Sequence, residues 1–306
     1  MVLDDDAAFG GTVQMRRVYK VADFAFSVAL AGDRDPDMYL KSFAPFKAEG
    51  CPAEDELFEL TEETLLEMAG GELLEKDSND MGHSCLYRLP EGYRIELRYP
   101  EKGAPHVLQT DKSFKSAKAF VRWEDPYAAT ILTSMLRIVF AQAILPHAAV
   151  SMHASVVVND GRGFLFMGKS GTGKSTHSRL WLENVPGTFL LNDDNPIVRL
   201  TDAGVVVYGS PWSGKTPCYR NENALAAGMI RLRQAPANSF EPKEDIAAFS
   251  LLLPGCSVLR QDKRLHEELC MTLVNMAEAV CVAEMLCLPD KDAALACRRG
   301  VMGNLK

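Results

Sequence analysis

The sequence predicts an α/β fold: a core of mixed sheet and hairpins gathered around a glycine-rich loop, preceded by a β-rich N-terminal part. Three observations carry that expectation. Residues 1–124 alternate short β-prone runs with turn residues, residues 128–145 hold one broad apolar stripe at helical spacing, and from residue 151 apolar strands alternate with helices. Strands that alternate with helices imply a partly parallel sheet.

Composition suits a globular chain. Its 306 residues amount to two domains at roughly 150 residues each, and 47% hydrophobic against 24% charged residues allows a sizeable buried core. Lys plus Arg number 33 and Asp plus Glu 41, a net charge of −8, so no overall positive field draws the chain to nucleic acid or to an anionic membrane. An anionic ligand therefore needs a local site. The eight cysteines (Cys51, Cys85, Cys218, Cys256, Cys270, Cys281, Cys287 and Cys297) include no C-x-x-C pair and no Cys/His cluster at zinc-ligand spacing, which points to reduced thiols and a cytoplasmic protein. The first residues are acidic where a signal peptide would be basic, and the apolar stretch 128–145 carries Arg137 in its middle, so it reads as a core helix and not a membrane span.

In chain order, residues 18–30 are rich in strand formers, and residues 86–99 read as a hairpin turning at Pro90, Glu91 and Gly92. Asp125 and Pro126 supply an N-cap and a first-turn proline. Ile131, Leu132, Met135, Leu136, Val139, Phe140, Ala143 and Ile144 then form the stripe, ended by Pro146. Residues 151–158 and 163–167 read as two strands joined at Asn159, Asp160 and Gly161, and the second runs into the glycine-rich loop. Next come a helix over 174–182, a strand over 188–191 ending in the run Asn192, Asp193, Asp194, Asn195, and a hairpin of 197–200 with 205–208. After Asn221 helices are expected near 243–253, 264–276 and 290–298, alternating with short strands. The division falls at residue 124: a β-rich accessory or substrate-recognition part over 1–124 and a nucleotide-binding part over 125–306.

Gly168, Lys169, Ser170, Gly171, Thr172, Gly173, Lys174 and Ser175 match G-x-x-x-x-G-K-[ST] between an apolar strand and a helix start, the context the phosphate-binding mechanism requires. Glycines let backbone N–H groups turn inward around phosphate oxygens, the helix N-terminus adds its dipole, Lys174 reaches the outer phosphates and Ser175 ligates Mg²⁺. Asp193 and Asp194 close an apolar strand, so one can hold Mg²⁺ while the other accepts a proton from an attacking hydroxyl. His153 lies on the strand expected beside the loop strand. Residues 209–220 bring Lys215 and Arg220 on a loop able to close over phosphates or a substrate.

Met152-His153 in a hairpin, then Gly168 through Ser175, then Asp193-Asp194 at a strand end resemble the catalytic domain of HPr kinase/phosphorylase and, more distantly, the nucleotide-binding core of ATP-dependent phosphoenolpyruvate carboxykinase. With Trp181, Asn192 and the residues around Trp212, the chain also looks like the small bacterial HPr kinase-like proteins. The resemblance implies a P-loop core of that type, with ATP and Mg²⁺ as cofactors and the loop through Thr176 as the nucleotide site. Thr176 stands where HPr kinases usually carry Glu, which removes one carboxylate. The resemblance further implies that Lys174 holds the β- and γ-phosphates and that Ser175 with one of Asp193 and Asp194 holds Mg²⁺. The other aspartate, assisted by His153, would activate a hydroxyl. The expected activity is γ-phosphoryl transfer to a hydroxyl of a protein, peptide or small molecule, with neither nucleic acid nor membrane as partner and self-association into a homo-oligomer left open. Two alternatives stand beside it: a non-catalytic ATP-binding module and a carboxykinase-like metabolic enzyme.

Overall fold

The β-prone run near the N-terminus folds back on itself: strands β1 (Gln14–Val21) and β2 (Phe24–Ala31) pair antiparallel around Ala22 and Asp23, both with positive φ (49° and 66°). The computed structural model describes residues 14–79, 82–99, 103–214 and 216–306. A short helix α1 (Pro36–Tyr39), β3 (Lys47–Ala48), β4 (Glu59–Glu62), β5 (Glu72–Asn79), β6 (Gly82–Leu89), β7 (Gly92–Arg98), β8 (His106–Asp111) and β9 (Ser116–Phe120) follow. They complete a nine-stranded sheet in the order β3-β1-β2-β4-β9-β8-β7-β6-β5, mixed because β4 runs parallel to both β2 and β9. The hairpin expected around Pro90 is present as β6 and β7, with Leu89 opposite Gly92.

Helix α2 (Ala128–Ala143) buries every residue of the expected stripe, and Ile144 with it. It begins two residues later than Pro126. Asp125 spends its carboxylate on the Tyr127 amide (2.8 Å) and its carbonyl on the Ala128 amide (3.0 Å), which makes a turn ahead of the helix. α2 packs on β8 and β9, and Phe140 meets Phe26 of the first sheet (5.6 Å between centroids) and Trp212 of the second part (5.2 Å). One hydrophobic core thus includes residues from Tyr19 to Val282.

The second sheet comprises β10 (Ala149–Ser151), β11 (Ala154–Asn159), β12 (Arg162–Met167), β13 (Phe189–Asp194), β14 (Ile197–Thr201), β15 (Gly204–Tyr208), β16 (Asn223–Gln234), β17 (Ser239–Lys243) and β18 (Cys281–Cys287). Their order is β10-β14-β15-β16-β12-β11-β13, with β18 and then β17 branching from β16. The short strand expected after Asn221 is instead a twelve-residue spine. One edge of β16 runs parallel to β12, while the other pairs first with β15 and then with β18. Its Ala- and Leu-rich sequence has little intrinsic β preference, and pairing on both edges decides its form.

Helices α3 (Lys174–Asn184), α4 (Asp245–Leu252), α5 (Lys263–Ala279) and α6 (Lys291–Met302) lie close to the expected spans. The apolar run of β12 splits by alternation. Phe164 and Phe166 face α3 and α6, against Trp181 (4.5 and 5.6 Å), whereas Leu165 and Met167 join the core shared with α2 and α5. A sheet buried on both faces needs such a continuous apolar strand. The fold is mixed α/β with two large mixed sheets. Among the described residues no helix is long and apolar enough to cross a membrane.

Candidate functional site

β12 ends at Met167 and α3 begins at Lys174, so residues 168–173 form the turn between strand and helix. Gly171 (φ 80°) and Gly173 (φ 103°) adopt the left-handed backbone that other residues avoid. Gly173 is the helix N-cap and offers no side-chain acceptor, so the amides of Lys174, Ser175 and Thr176 are left without intrahelical partners. Thr172 closes the turn by donating its amide (3.1 Å) and hydroxyl (2.6 Å) to the Lys169 carbonyl. Lys169 and Ser170 are exposed at the tip. Free amides, a helix dipole and Lys174 together make an anion-binding mouth.

Lys174 Nζ donates to the Gly168 carbonyl (3.0 Å) and to His153 Nε2 (2.9 Å), and His153 Nδ1 meets Asp194 Oδ1 (2.9 Å). An ammonium only donates, so Nε2 accepts and the imidazole proton sits on Nδ1, directed at the carboxylate. His153, expected on a strand over 151–158, lies instead in a break between β10 and β11, held where its amide donates to the Gly255 carbonyl (2.7 Å). Asn195 Nδ2 donates to the other oxygen, Asp194 Oδ2 (2.6 Å).

Asp193 takes a different partner. Ser175 Oγ donates to its carboxylate (3.2 and 3.4 Å to the two oxygens). The register of β13 against β11 shifts between Val156 and Val157, which leaves Leu191 unpaired and sets Asp193 opposite Ser155 and Asp194 opposite Ala154. Ser155 contacts Ser178 of α3 (2.7 Å), so Asp193 is on the α3 side and Asp194 on the side of α2. A bulge next to a site commonly re-aims side chains in this way.

Burial pushes the Lys174 ammonium below its ordinary value, with the Asp194 and Asp193 charges opposing. Burial also pushes the Asp194 carboxyl upward, but the hydrogen bond from His153 and the cations Arg137 and Lys174 outweigh it and hold the group below the usual carboxylate range. His177, buried in α3, is pushed down to about 4 by desolvation. It is a neutral acceptor for Trp181 Nε1 (3.2 Å).

The 209–214 loop braces the acidic strand end. Buried Asn192 donates to the Ser210 and Trp212 carbonyls (3.4 and 3.1 Å) and accepts from the Asp194 and Asn195 amides (3.0 and 2.9 Å). Trp212 Nε1 reaches the Thr133 carbonyl on α2 (3.1 Å), and Gly214 donates to the Asp193 carbonyl (3.2 Å).

Three cavities border this arrangement. One of about 620 Å³ lies on the outer side of residues 168–172 against Arg233, Gln234 and Glu284. Another of about 500 Å³ lies beside Thr172, Thr176 and His177, with Leu180, Leu288 and Pro289 as apolar walls. A third, also about 500 Å³, opens on the opposite side at Asp194. A larger cavity, about 900 Å³, is lined by Ile246, Phe249 and Met271 of α4 and α5 and contains none of these groups.

His153, the loop residues through Thr176, Asp193 and Asp194 thus meet at one place. Arg220 does not join them: it pairs with Glu222 (3.2 Å), covers the Phe189 ring and lines none of the three cavities. Lys215 lies outside the described residues. Ser175 and Asp193 present oxygen donors to one point, a set that suits Mg²⁺, which takes few protein ligands beside phosphate oxygens and water. Among the described residues no cluster of three or more His, Cys, Asp or Glu could hold a metal by itself. Sequence reasoning missed Gln234, which donates to the Gly171 and Thr172 carbonyls (3.5 and 3.4 Å). It also missed Asn192 and Asn195, although both flank the acids in the same short run. No family model and no curated protein sequence matches the chain.

Proposed function

We propose that the chain is an ATP-dependent kinase that transfers the γ-phosphoryl group to a hydroxyl acceptor, on a P-loop core of the HPr kinase type. The observation that carries this reading is the division of labour between adjacent acids: Asp193 with Ser175 beside the loop, and Asp194 with His153 and Lys174 on the other side. A protein that only bound nucleotide would need Lys174, Ser175 and Asp193 but not the pair of Asp194 and His153.

Lys174 and the free amides at the start of α3 hold the β- and γ-phosphates and neutralise the charge that develops during transfer. Ser175 and Asp193 would hold Mg²⁺, which when bound screens the same oxygens. Asp194 accepts the proton of the acceptor hydroxyl as its oxygen bonds to the γ-phosphorus and the bond to the bridging oxygen breaks, releasing ADP. His153 donates to Asp194 through Nδ1, which fixes the carboxylate and keeps its charge. Such chemistry belongs to the cytoplasm, where ATP is present and all eight cysteines remain free thiols.

The test is ATP affinity and ADP formation across a panel of hydroxyl acceptors. Lys174→Ala is expected to weaken ATP binding and abolish turnover, and Asp194→Asn to abolish turnover while ATP still binds. Unchanged ATP binding and turnover in Lys174→Ala would overturn the reading, as would tight ATP binding by the wild type with no ADP formed from any acceptor.

A further inference from the structure

The cavity at Asp194 is bounded by three separate parts of the chain: Tyr39 and Lys41 from the N-terminal part, Arg137 from α2, and Trp212 and Tyr219 from the loop beyond β15. Its charges are unequally provided for. Asp194 is held by His153 and Asn195. Arg137 is half-buried and makes no hydrogen bond or ion pair with any described residue, and neither does the Lys41 ammonium. A guanidinium carries five donors and keeps its proton, so Arg137, with no acceptor among the described residues, has its donors open to a ligand in this cavity. Burial lowers the Arg137 pKa and only the charge of Asp194 opposes, without a contact between them.

We propose that this cavity is the acceptor site and that the acceptor carries an anionic group, a carboxylate or a phosphate ester, bound by Arg137 with Lys41 while its hydroxyl faces Asp194. Calling the occupant an acceptor rests on the kinase reading; the anion subsite itself does not. At about 500 Å³ the cavity suits a small molecule or one or two residues of a peptide. Tyr39 and Trp212 wall it with aromatic surface, and the planar guanidinium matches the two oxygens of a carboxylate or phosphate. The N-terminal part thereby supplies a wall of the acceptor site, because Lys41 follows α1 and reaches the cavity from outside the second sheet. Arg137 borders a second cavity of about 580 Å³ on its other side, but Asp194 and Lys41 line only the first.

Calorimetric titration of the full chain with glycerate, glycerol 3-phosphate and glycerol tests this. The two anions share a backbone with the neutral probe and separate a carboxylate from a phosphate preference. At least one anion is expected to bind ten- to a hundredfold tighter than glycerol, on the order of one charge-assisted pair. That preference is expected to vanish in Arg137→Gln, to survive in part in Arg137→Lys and to weaken in Lys41→Gln, where an exposed side chain can be changed without risk to the fold. Lys174→Ala is expected to keep it, since an anion lodged in the glycine-rich loop would show the reverse pattern. Equal binding of all three probes, or a preference unaffected by Arg137→Gln, overturns the proposal. ATP titrated into the same wild-type protein reports on the loop separately, so loss of the nucleotide reading is distinguishable from loss of the subsite.

Discussion

Asp193 and Asp194 are consecutive in β13, yet Asp193 accepts from Ser175 Oγ at 3.2 Å while Asp194 meets His153 Nδ1 at 2.9 Å on the other side of the sheet. Their isosteric variants should therefore fail differently. Asp193→Asn is expected to weaken the Mg²⁺ dependence of nucleotide binding by tenfold or more, whereas Asp194→Asn leaves that dependence intact and lowers kcat by roughly a hundredfold or more. Titrating Mg²⁺ at fixed ATP, beside single-turnover rates, separates the two. Identical defects in both variants would contradict the assignment.

On the proposed kinase reading, His153 is expected to set the acid limb of activity through Asp194. Its hydrogen bond is the largest of the influences that hold the Asp194 carboxyl low against burial. In His153→Ala burial acts with less opposition, the carboxyl titrates at higher pH, and the acid limb of the rate profile is expected to move upward, with kcat down by roughly ten- to a hundredfold. A limb that stays in place would assign it to another group.

Asp194 also couples stability to pH. Its folded pKa lies below the unfolded value, so its ionised form contributes stability above the unfolded carboxylate range near 4, and that contribution is lost as pH falls through the folded value. Urea unfolding of wild type and Asp194→Asn at several pH values should show the wild type losing more stability on acidification than the variant. Parallel curves would show that the charge contributes nothing.

Asn192 is the clamp between the acidic strand end and the 209–214 loop. Truncation in Asn192→Ala removes the side-chain partner of groups on both sides, the Ser210 carbonyl and the Asp194 and Asn195 amides among them. A cost of about 2–3 kcal/mol follows from the usual penalty for unsatisfied buried polar groups. Chemical unfolding measures it, and hydrogen exchange at Trp212 and Gly214 should rise more than exchange in β16. A uniform rise would place the defect elsewhere.

Features set by neighbouring residues were open to sequence reasoning. The turn at Asn159 to Gly161, the stripe of α2, the loop from Gly168 and the acids at a strand end each depend on chemistry within a few positions, and each is where it was expected. The bend at Ala22 and Asp23 was not, because Asp23 is a lone turn former, with neither glycine nor proline beside it, inside a continuous run of strand formers. It is held from outside, by Arg199 donating to the Ala22 carbonyl (2.7 Å) and Tyr208 to Asp23 (2.8 Å), residues more than 170 positions away. Arg137 was visible as a charge interrupting an apolar helix, but only the packing of α2 beside the second sheet gives it a cavity to face.

The sequence by itself determined the glycine-rich loop, the identity of the acids and the alternation of strands and helices, since these are properties of consecutive residues and their backbone preferences. Which aspartate serves the loop and which serves His153 was decided by tertiary structure alone: strand alternation sends neighbouring side chains to opposite faces, and the one-residue register shift between β11 and β13 decides which of the two faces α3. The same applies to the wall that Lys41 supplies, because chain segments far apart in sequence meet only after the two sheets close over α2.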